Sequence, residues 1–198
     1  MKQKLGFFFL ILLVAICAYF FGVQASSFLN HFQAEKTKNE NEEIRQAILE
    51  RTQSFQKGNK LPNFFFYDLD GNQIELHKIT MNSPSLVCYV TSDCHICTEQ
   101  IELLKRLCTK HDLNAKVLVL SSSNPFELVK FKSDNKIDWP ILYDHARQYG
   151  GNLKIQVFPF YIVVDSSFNI LNVIPGKLEE REMLDIFAAT NRDKTSDI

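Results

Sequence analysis

The chain has 198 residues, 45% of them apolar and 23% charged, with a formal net charge of −1. This is the composition of an ordinary globular protein, and with no long basic block it gives no nucleic-acid footprint. Five cysteines are too few for a disulfide-stapled mini-domain, and the length suits one domain with extensions, able to bury a core without staples.

Lys2 and Lys4 precede an uncharged apolar run, Leu5 to Gly22. A membrane-spanning helix needs about 20 apolar residues and a secretory core about 7–15, so the run is expected to be an uncleaved signal-anchor. Val23-Gln24-Ala25 offers the competing reading, a cleaved signal peptide. Either one exports the remainder, and the leading lysines keep the N-terminus inside. Cys17 is then a small apolar residue of the membrane helix. Residues 26–58 turn polar and rich in helix formers, with Ile44, Ile48 and Phe55 near one helical face and Gly58 as a stop. They read as a helical stalk between residues 1–25 and a folded domain at 59–193, with 194–198 as a tail.

Within the domain, "NFFFYDLDGNQIEL" holds two short apolar runs around Asp70-Gly71, a hairpin turn signal. Ser85 to Thr91 is continuous in apolar residues and reads as a buried strand. "CHIC" follows, and Ile101, Leu104 and Cys108 recur at helical spacing. Lys116–Ser123 is the next buried strand, and Asn124-Pro125 starts another helix. "WPILYD" gives a short extended piece. "FPFYIVVD" and "NILNVI" form a strand pair around "SSF", and a helix from Leu178 to about Asn191 closes the chain. Strand, helix, strand, helix, hairpin, helix is an α/β pattern, with the first two buried strands parallel through a right-handed crossover and helices on both faces of the sheet.

Cys94 stands where a buried strand gives way to a helix. Free backbone N–H groups and the positive dipole end stabilise an anion there, so the thiolate is favoured. Cys97 lies one turn on, within disulfide reach, placed to resolve a mixed disulfide. Two other readings stay open on residues alone. Zinc would need two more ligands, and no second CxxC or paired histidine is present. Two silent buried cysteines would have to explain their place at a strand-to-helix turn. The expected cofactor is therefore none beyond a redox-active Cys94–Cys97 disulfide, with no metal.

"LPNFFFYDLDG", the strand before "CHIC", and "FPFYIVVD" resemble the membrane-anchored thioredoxin-like oxidoreductases of the TlpA and ResA type, within the redoxin group. The resemblance covers about Leu61 to Asn191. It implies a thioredoxin-like fold with a central mixed sheet, a cis Phe158-Pro159 peptide facing the dithiol, and a substrate groove there to which Trp139 could contribute. It implies thiol–disulfide exchange with exported protein substrates, leaning towards their reduction, cytochrome c precursors among them. A membrane or exported partner would supply electrons.

Several positions depart from that pattern. Asp93 replaces the tryptophan usual before the first cysteine, and a carboxylate there opposes a thiolate, whereas a protonated His95 favours it. Both are candidate pKa-tuning residues. Cys88 stands in place of a buried acid, as a core residue, and Cys108 is read the same way. Gln100 replaces a glutamate three residues after the second cysteine. His31, His77 and His111 are read as surface residues. Competing functions are a peroxiredoxin-like peroxidase, for which Thr91 speaks and Val87 (in place of a proline) does not, a copper-delivery protein, and a binding module without catalysis.

Overall fold

In the computed structural model, residues 24, 33–50, 57–80, 83–111 and 116–192 are described. The apolar run 5–22 read as an anchor lies outside them, as do Cys17, His31, Phe55 and the tail. Among the described residues no helix is long and apolar enough to cross a membrane. The chain divides into two units, Met1–Ile44 and Arg45–Ile198. Residues 33–50 are helical (α1). Within the second unit, Arg45 pairs with Glu182 at 2.9 Å and also donates to the Lys177 carbonyl, and Leu49 packs against the domain core.

The second unit contains β1 (Phe65–Tyr67), β2 (Gln73–Glu75), α2 (Leu76–Thr80), β3 (Ser85–Val90), α3 (His95–His111), β4 (Lys116–Ser121), α4 (Pro125–Asp134), β5 (Ile141–Tyr143), α5 (Gln148–Asn152), β6 (Phe160–Val164), β7 (Ile170–Pro175) and α6 (Glu180–Arg192). The strands form one mixed sheet in the order β2-β1-β5-β4-β3-β6-β7. β3, β4 and β5 are parallel, and the β1–β2, β1–β5, β3–β6 and β6–β7 pairs are antiparallel.

The continuous apolar character of β3 has its cause in this arrangement: all six of its residues are buried because both faces of the sheet are covered. Side chains alternate between two cores. Leu86, Cys88 and Val90 face one built with Cys97, Ile101 and Leu104 of α3, Leu128 and Phe131 of α4, and Met183 and Phe187 of α6. Val87 and Tyr89 face the other, with Leu76 of α2 and Tyr149 of α5. The sheet order steps the same way from β3 to β4 and from β4 to β5, so right-handed crossovers put α3 and α4 on the same face. Their N-termini therefore stand side by side at the C-terminal end of the parallel strands.

Two hairpins carry the same local device. Asp68 accepts the backbone N–H groups of Asp70 (3.0 Å) and Asn72 (2.7 Å) and the Asn72 side chain (2.9 Å). These bonds hold its carboxyl below the ordinary value, the Asn72 side chain first among them. Asp165 does the same for Ser167 and Asn169. Gly71, at φ +87°, takes the left-handed position of the first turn. At Asn124-Pro125, Asn124 Oδ1 accepts the Phe126 N–H at 2.9 Å and proline fills the first turn, which starts α4 as expected. The final helix begins at Glu180 rather than Leu178. α2 and α5, five residues each, were not anticipated, because so short a segment shows no helical period.

Candidate active site

The site is assembled where β3 ends. Ser92 fixes the loop: its N–H donates to Ser123 Oγ at 2.8 Å and its hydroxyl to Glu127 at 2.9 Å. Cys94 is the N-cap of α3. Its carbonyl accepts the Thr98 N–H at 3.2 Å, and its Sγ accepts the Cys97 N–H at 3.0 Å. Sulfur thus occupies the place of a capping oxygen. A thiolate formed at Cys94 receives that donor and the positive end of a 17-residue helix.

Cys94 and Cys97 form a disulfide, with Cα atoms 5.2 Å apart. Cys97 is fully buried and Cys94 only half-buried. Of the two sulfurs, that of Cys94 is therefore the more accessible to an incoming thiol or disulfide.

The Phe158–Pro159 peptide is cis. In the β3–β6 register Tyr89 pairs with Phe160, and β6 runs antiparallel to β3, so Pro159 and Cys94 lie at the same end of the sheet. Pro159 is buried and its carbonyl accepts the Gly176 N–H at 2.8 Å. The half-buried Phe158 ring stacks on Tyr89, with centroids 5.6 Å apart, and the Arg147 guanidinium lies over the Phe158 ring at 5.9 Å from its centroid. Trp139 is half-buried and packs against the core that contains Cys97, as Cys94 and Phe158 do.

His95 is 85% exposed, and its Nδ1 lies 3.3 Å from Glu99 Oε1. Glu99 also pairs with Lys177 at 3.2 Å. Asp93 is exposed and lines a cleft beside the disulfide. Gln100 is buried and fully engaged: Oε1 accepts the Tyr161 hydroxyl (2.9 Å) and the Leu178 N–H (3.0 Å), and Nε2 donates to the Leu178 carbonyl (3.0 Å). A neutral amide there has no proton to exchange with Cys97.

Cys88 is completely buried, and its thiol is pushed far up by desolvation, with Cys108 adding to it. Burial also raises the half-buried Cys108. Neither is in a disulfide. His77 is half-buried rather than a surface residue, stacked on Phe168 with centroids 3.9 Å apart and its Nε2 2.8 Å from the Leu61 carbonyl. Among the described residues, no three His, Cys, Asp or Glu side chains converge on a metal position.

One group near the site left no sequence signal. Asp144, 1% exposed, accepts the Tyr89 hydroxyl (2.5 Å) and the N–H groups of Tyr149 (2.9 Å) and Gly150 (2.8 Å). It anchors the ring on which Phe158 stacks. Burial first, and then the hydrogen bond to Asp144, raise the Tyr89 hydroxyl well above its usual range.

A mixed sheet between helices, a CxxC disulfide at the first turn of a helix and a cis-proline at the same sheet end define a thioredoxin-like protein. Residues 56–188, well over half of the chain, match the Redoxin family, and the chain belongs to it. No curated protein sequence matches it. Among solved structures it is similar to the peroxidoxin BcpB of Mycobacterium tuberculosis (TM-score 0.61, 18% identity, covering 72% of this chain and 99% of that one). It is similar also to the thioredoxin domain of a thiol-disulfide oxidoreductase from Bacteroides vulgatus (0.56, 20%, 71% and 99%). A third is a secreted M. tuberculosis disulfide oxidoreductase homologous to E. coli DsbE (0.55, 12%, 64% and 95%). At these identities the likeness is one of fold.

Proposed function

We propose that the protein is a thiol–disulfide oxidoreductase that reduces disulfides of exported proteins, tethered to the membrane by residues 5–22. The observation that carries the activity is the division of labour at the CxxC: Cys94 half-buried and capped by the Cys97 N–H, Cys97 fully buried. In the reduced protein, Cys94 thiolate attacks one sulfur of a substrate disulfide and expels the other as a thiolate. Cys97 thiolate then attacks Cys94 Sγ and releases the second substrate thiol. Two electrons have passed to the substrate, and the Cys94–Cys97 disulfide remains. A dithiol donor on the exported side returns it to the reduced state. Phe158, Pro159 and Trp139 form the substrate groove, and His95 and Asp93 tune Cys94. The family match and the fold of the secreted M. tuberculosis oxidoreductase support the reading.

The test is thiol counting on the full-length protein equilibrated in glutathione buffers, with trapping by variants. A reversible two-electron transition is expected, with a potential near about −270 mV for a reductant and about −120 mV for an oxidant. Cys97→Ser should accumulate a mixed disulfide with substrate and Cys94→Ser should not. No Cys94–Cys97 couple anywhere in the range sinks the proposal. The fold of the peroxidoxin BcpB supports a second use of the same dithiol, reduction of a hydroperoxide. Peroxide-driven oxidation of Cys94 faster than exchange with a protein disulfide would select it.

A further inference from the structure

Several elements meet on one short segment, Gly176 to Glu179, between β7 and α6. The Gly176 N–H donates to the Pro159 carbonyl at 2.8 Å, so the segment abuts the proline beside the dithiol. Gln100 of α3 takes both the N–H and the carbonyl of Leu178, at 3.0 Å each. The Lys177 ammonium lies 3.2 Å from Glu99, two residues after Cys97. A further partner comes from the N-terminal side of the chain. Arg45, near the C-terminal end of α1, donates through Nη2 to the Lys177 carbonyl and through Nη1 to Glu182 Oε1 at 2.9 Å. Glu182 Oε2 in turn accepts the Glu179 N–H at 2.8 Å, so the carboxylate that caps the start of α6 also receives Arg45.

A surface ion pair by itself contributes little. Arg45 differs in two respects. Its side chain is only 20% exposed, and its fork binds a carboxylate and a carbonyl at once, a geometry that a guanidinium supplies and an ammonium does not. Its partners stand 132 and 137 positions away, so the contact forms only in the folded domain. Leu49, one turn further along α1, packs against the domain core and keeps this part of the helix in place.

Resting on the oxidoreductase reading, we propose that Arg45 is a positioning residue for thiol–disulfide exchange. By fixing the Lys177 carbonyl it holds Gly176 to Leu178 against Pro159 and the first turns of α3. That segment is then a wall of the substrate groove, kept in the geometry that a polypeptide disulfide meets at Cys94. The end of α1 thereby belongs to the catalytic unit and is not only a spacer. A polypeptide contacts the groove along its length and depends on the wall. A small disulfide needs only the sulfur and does not. Arg45 acts through Lys177 and Glu182 rather than on the sulfur, so its effect falls on KM.

The test uses the full-length protein, fully reduced, mixed with an excess of a cysteine peptide joined as its disulfide dimer or of hydroxyethyl disulfide. Oxidation of Cys94 and Cys97 is followed in a single turnover, which gives a maximal rate and a half-saturation concentration. Arg45→Ala should raise the half-saturation concentration for the peptide about three- to tenfold. Its maximal rate and the hydroxyethyl disulfide rate should stay near wild type. Arg45→Lys keeps the charge but not the fork, and should move the same quantity in the same direction by less. Deuterium exchange of the Gly176 and Leu178 amides should quicken in both variants, more in Arg45→Ala. Thermal melting sets a temperature at which each variant is folded, and if Arg45→Ala does not fold, Arg45→Lys decides alone. An unchanged half-saturation concentration, an equal loss for the two disulfides, or amide exchange as slow as in the wild type overturns the positioning role. Wild-type protein that is oxidised by neither disulfide overturns the oxidoreductase reading instead.

Discussion

Tyr161 donates its hydroxyl to Gln100 Oε1 at 2.9 Å, joining strand β6 to α3 one turn after Cys97. The same amide closes two bonds with the backbone of Leu178, so one side chain ties the CxxC helix to both the sheet and the segment that leads into α6. Gln100→Leu leaves a buried hydroxyl, an N–H and a carbonyl without partners, each worth about 1–3 kcal/mol. Tyr161→Phe removes one donor and leaves Oε1 still bonded to the Leu178 N–H, at a cost of about 1 kcal/mol. Urea unfolding of the two variants should rank them in that order, and equal midpoints would show that the network does not hold the helix.

Gln100→Glu gives the complementary experiment. Beside the two donors to Oε1, the position is buried and offers a carbonyl acceptor that the amide now satisfies, so desolvation and that carbonyl together should hold a glutamate there protonated, with its folded pKa raised above the unfolded value. Its contribution is fully present below the unfolded pKa, about 4.3, and is lost as pH rises through the folded value. The variant should lose stability relative to wild type between about pH 4.5 and 7. A flat difference across that window would mean that the carboxylate finds solvent.

The second predicted weak point is the Tyr89–Asp144 bond. A Cβ on Gly150 would lie 2.5 Å from the Tyr89 hydroxyl oxygen and 3.4 Å from Asp144 Oδ2, and Tyr89 is fully buried. Gly150→Ala should therefore push the ring off Asp144 and cost about 1–3 kcal/mol. Because the Tyr89 ring stacks on Phe158, the displacement reaches the cis-proline segment. The expected kinetic result is a raised KM for a protein disulfide with little change for a small one. An unchanged KM for both, in a variant that melts earlier, would confine Tyr89 to a structural role.

What the sequence made legible, and what it did not, divides by range. Ser85 to Thr91 and Lys116 to Ser123 read as buried strands because burial on both faces writes an apolar run, and the structure places strands at Ser85–Val90 and Lys116–Ser121. Asp70-Gly71 and Asn124-Pro125 are turn and cap chemistry contained in a few neighbouring residues. Cys94 and Cys97 were legible because a sulfur at a strand-to-helix junction has a local meaning. Asp144 had none: its three donors come from Tyr89, 55 positions away, and from two backbone N–H groups that exist as a cluster only once α5 turns. Gln100 was visible as a departure from the family pattern, but its partners Tyr161 and Leu178 were not, being 61 and 78 residues off. The cleft that Asp93 lines likewise forms only when two crossovers place α4 beside α3.

Buried thiols set the alkaline limit of stability. Cys88 is completely buried and its thiol is raised by desolvation, so it stays protonated in the fold while an unfolded thiol titrates near about 8.5. A folded pKa above the unfolded one contributes stability that is full below about pH 8.5 and is lost as pH rises. At pH 9.5 the loss from Cys88 is about 1.4 kcal/mol. Cys88→Val should remove that slope between about pH 8 and 9.5, below the range where the tyrosines enter. In the reduced wild type, iodoacetamide should modify Cys94 first and reach Cys88 only on unfolding. Alkylation of Cys88 at the rate of Cys94 would contradict its burial.

His95 is expected to tune the dithiol only weakly. Its imidazole is 85% exposed and turned to Glu99, which Lys177 also engages. An exposed pair of this kind is worth at most about 1 kcal/mol, which for a two-electron couple corresponds to about 20 mV. A positive charge at His95 favours the Cys94 thiolate and hence the reduced state, so His95→Ala should lower the potential, by no more than that amount. Glu99→Gln should act in the opposite direction, because it frees the imidazolium from its partner. Potentials of the three proteins measured against glutathione decide the matter. A shift several times larger for His95→Ala would mean that the ring leaves Glu99 in the reduced protein and turns to the Cys94 sulfur.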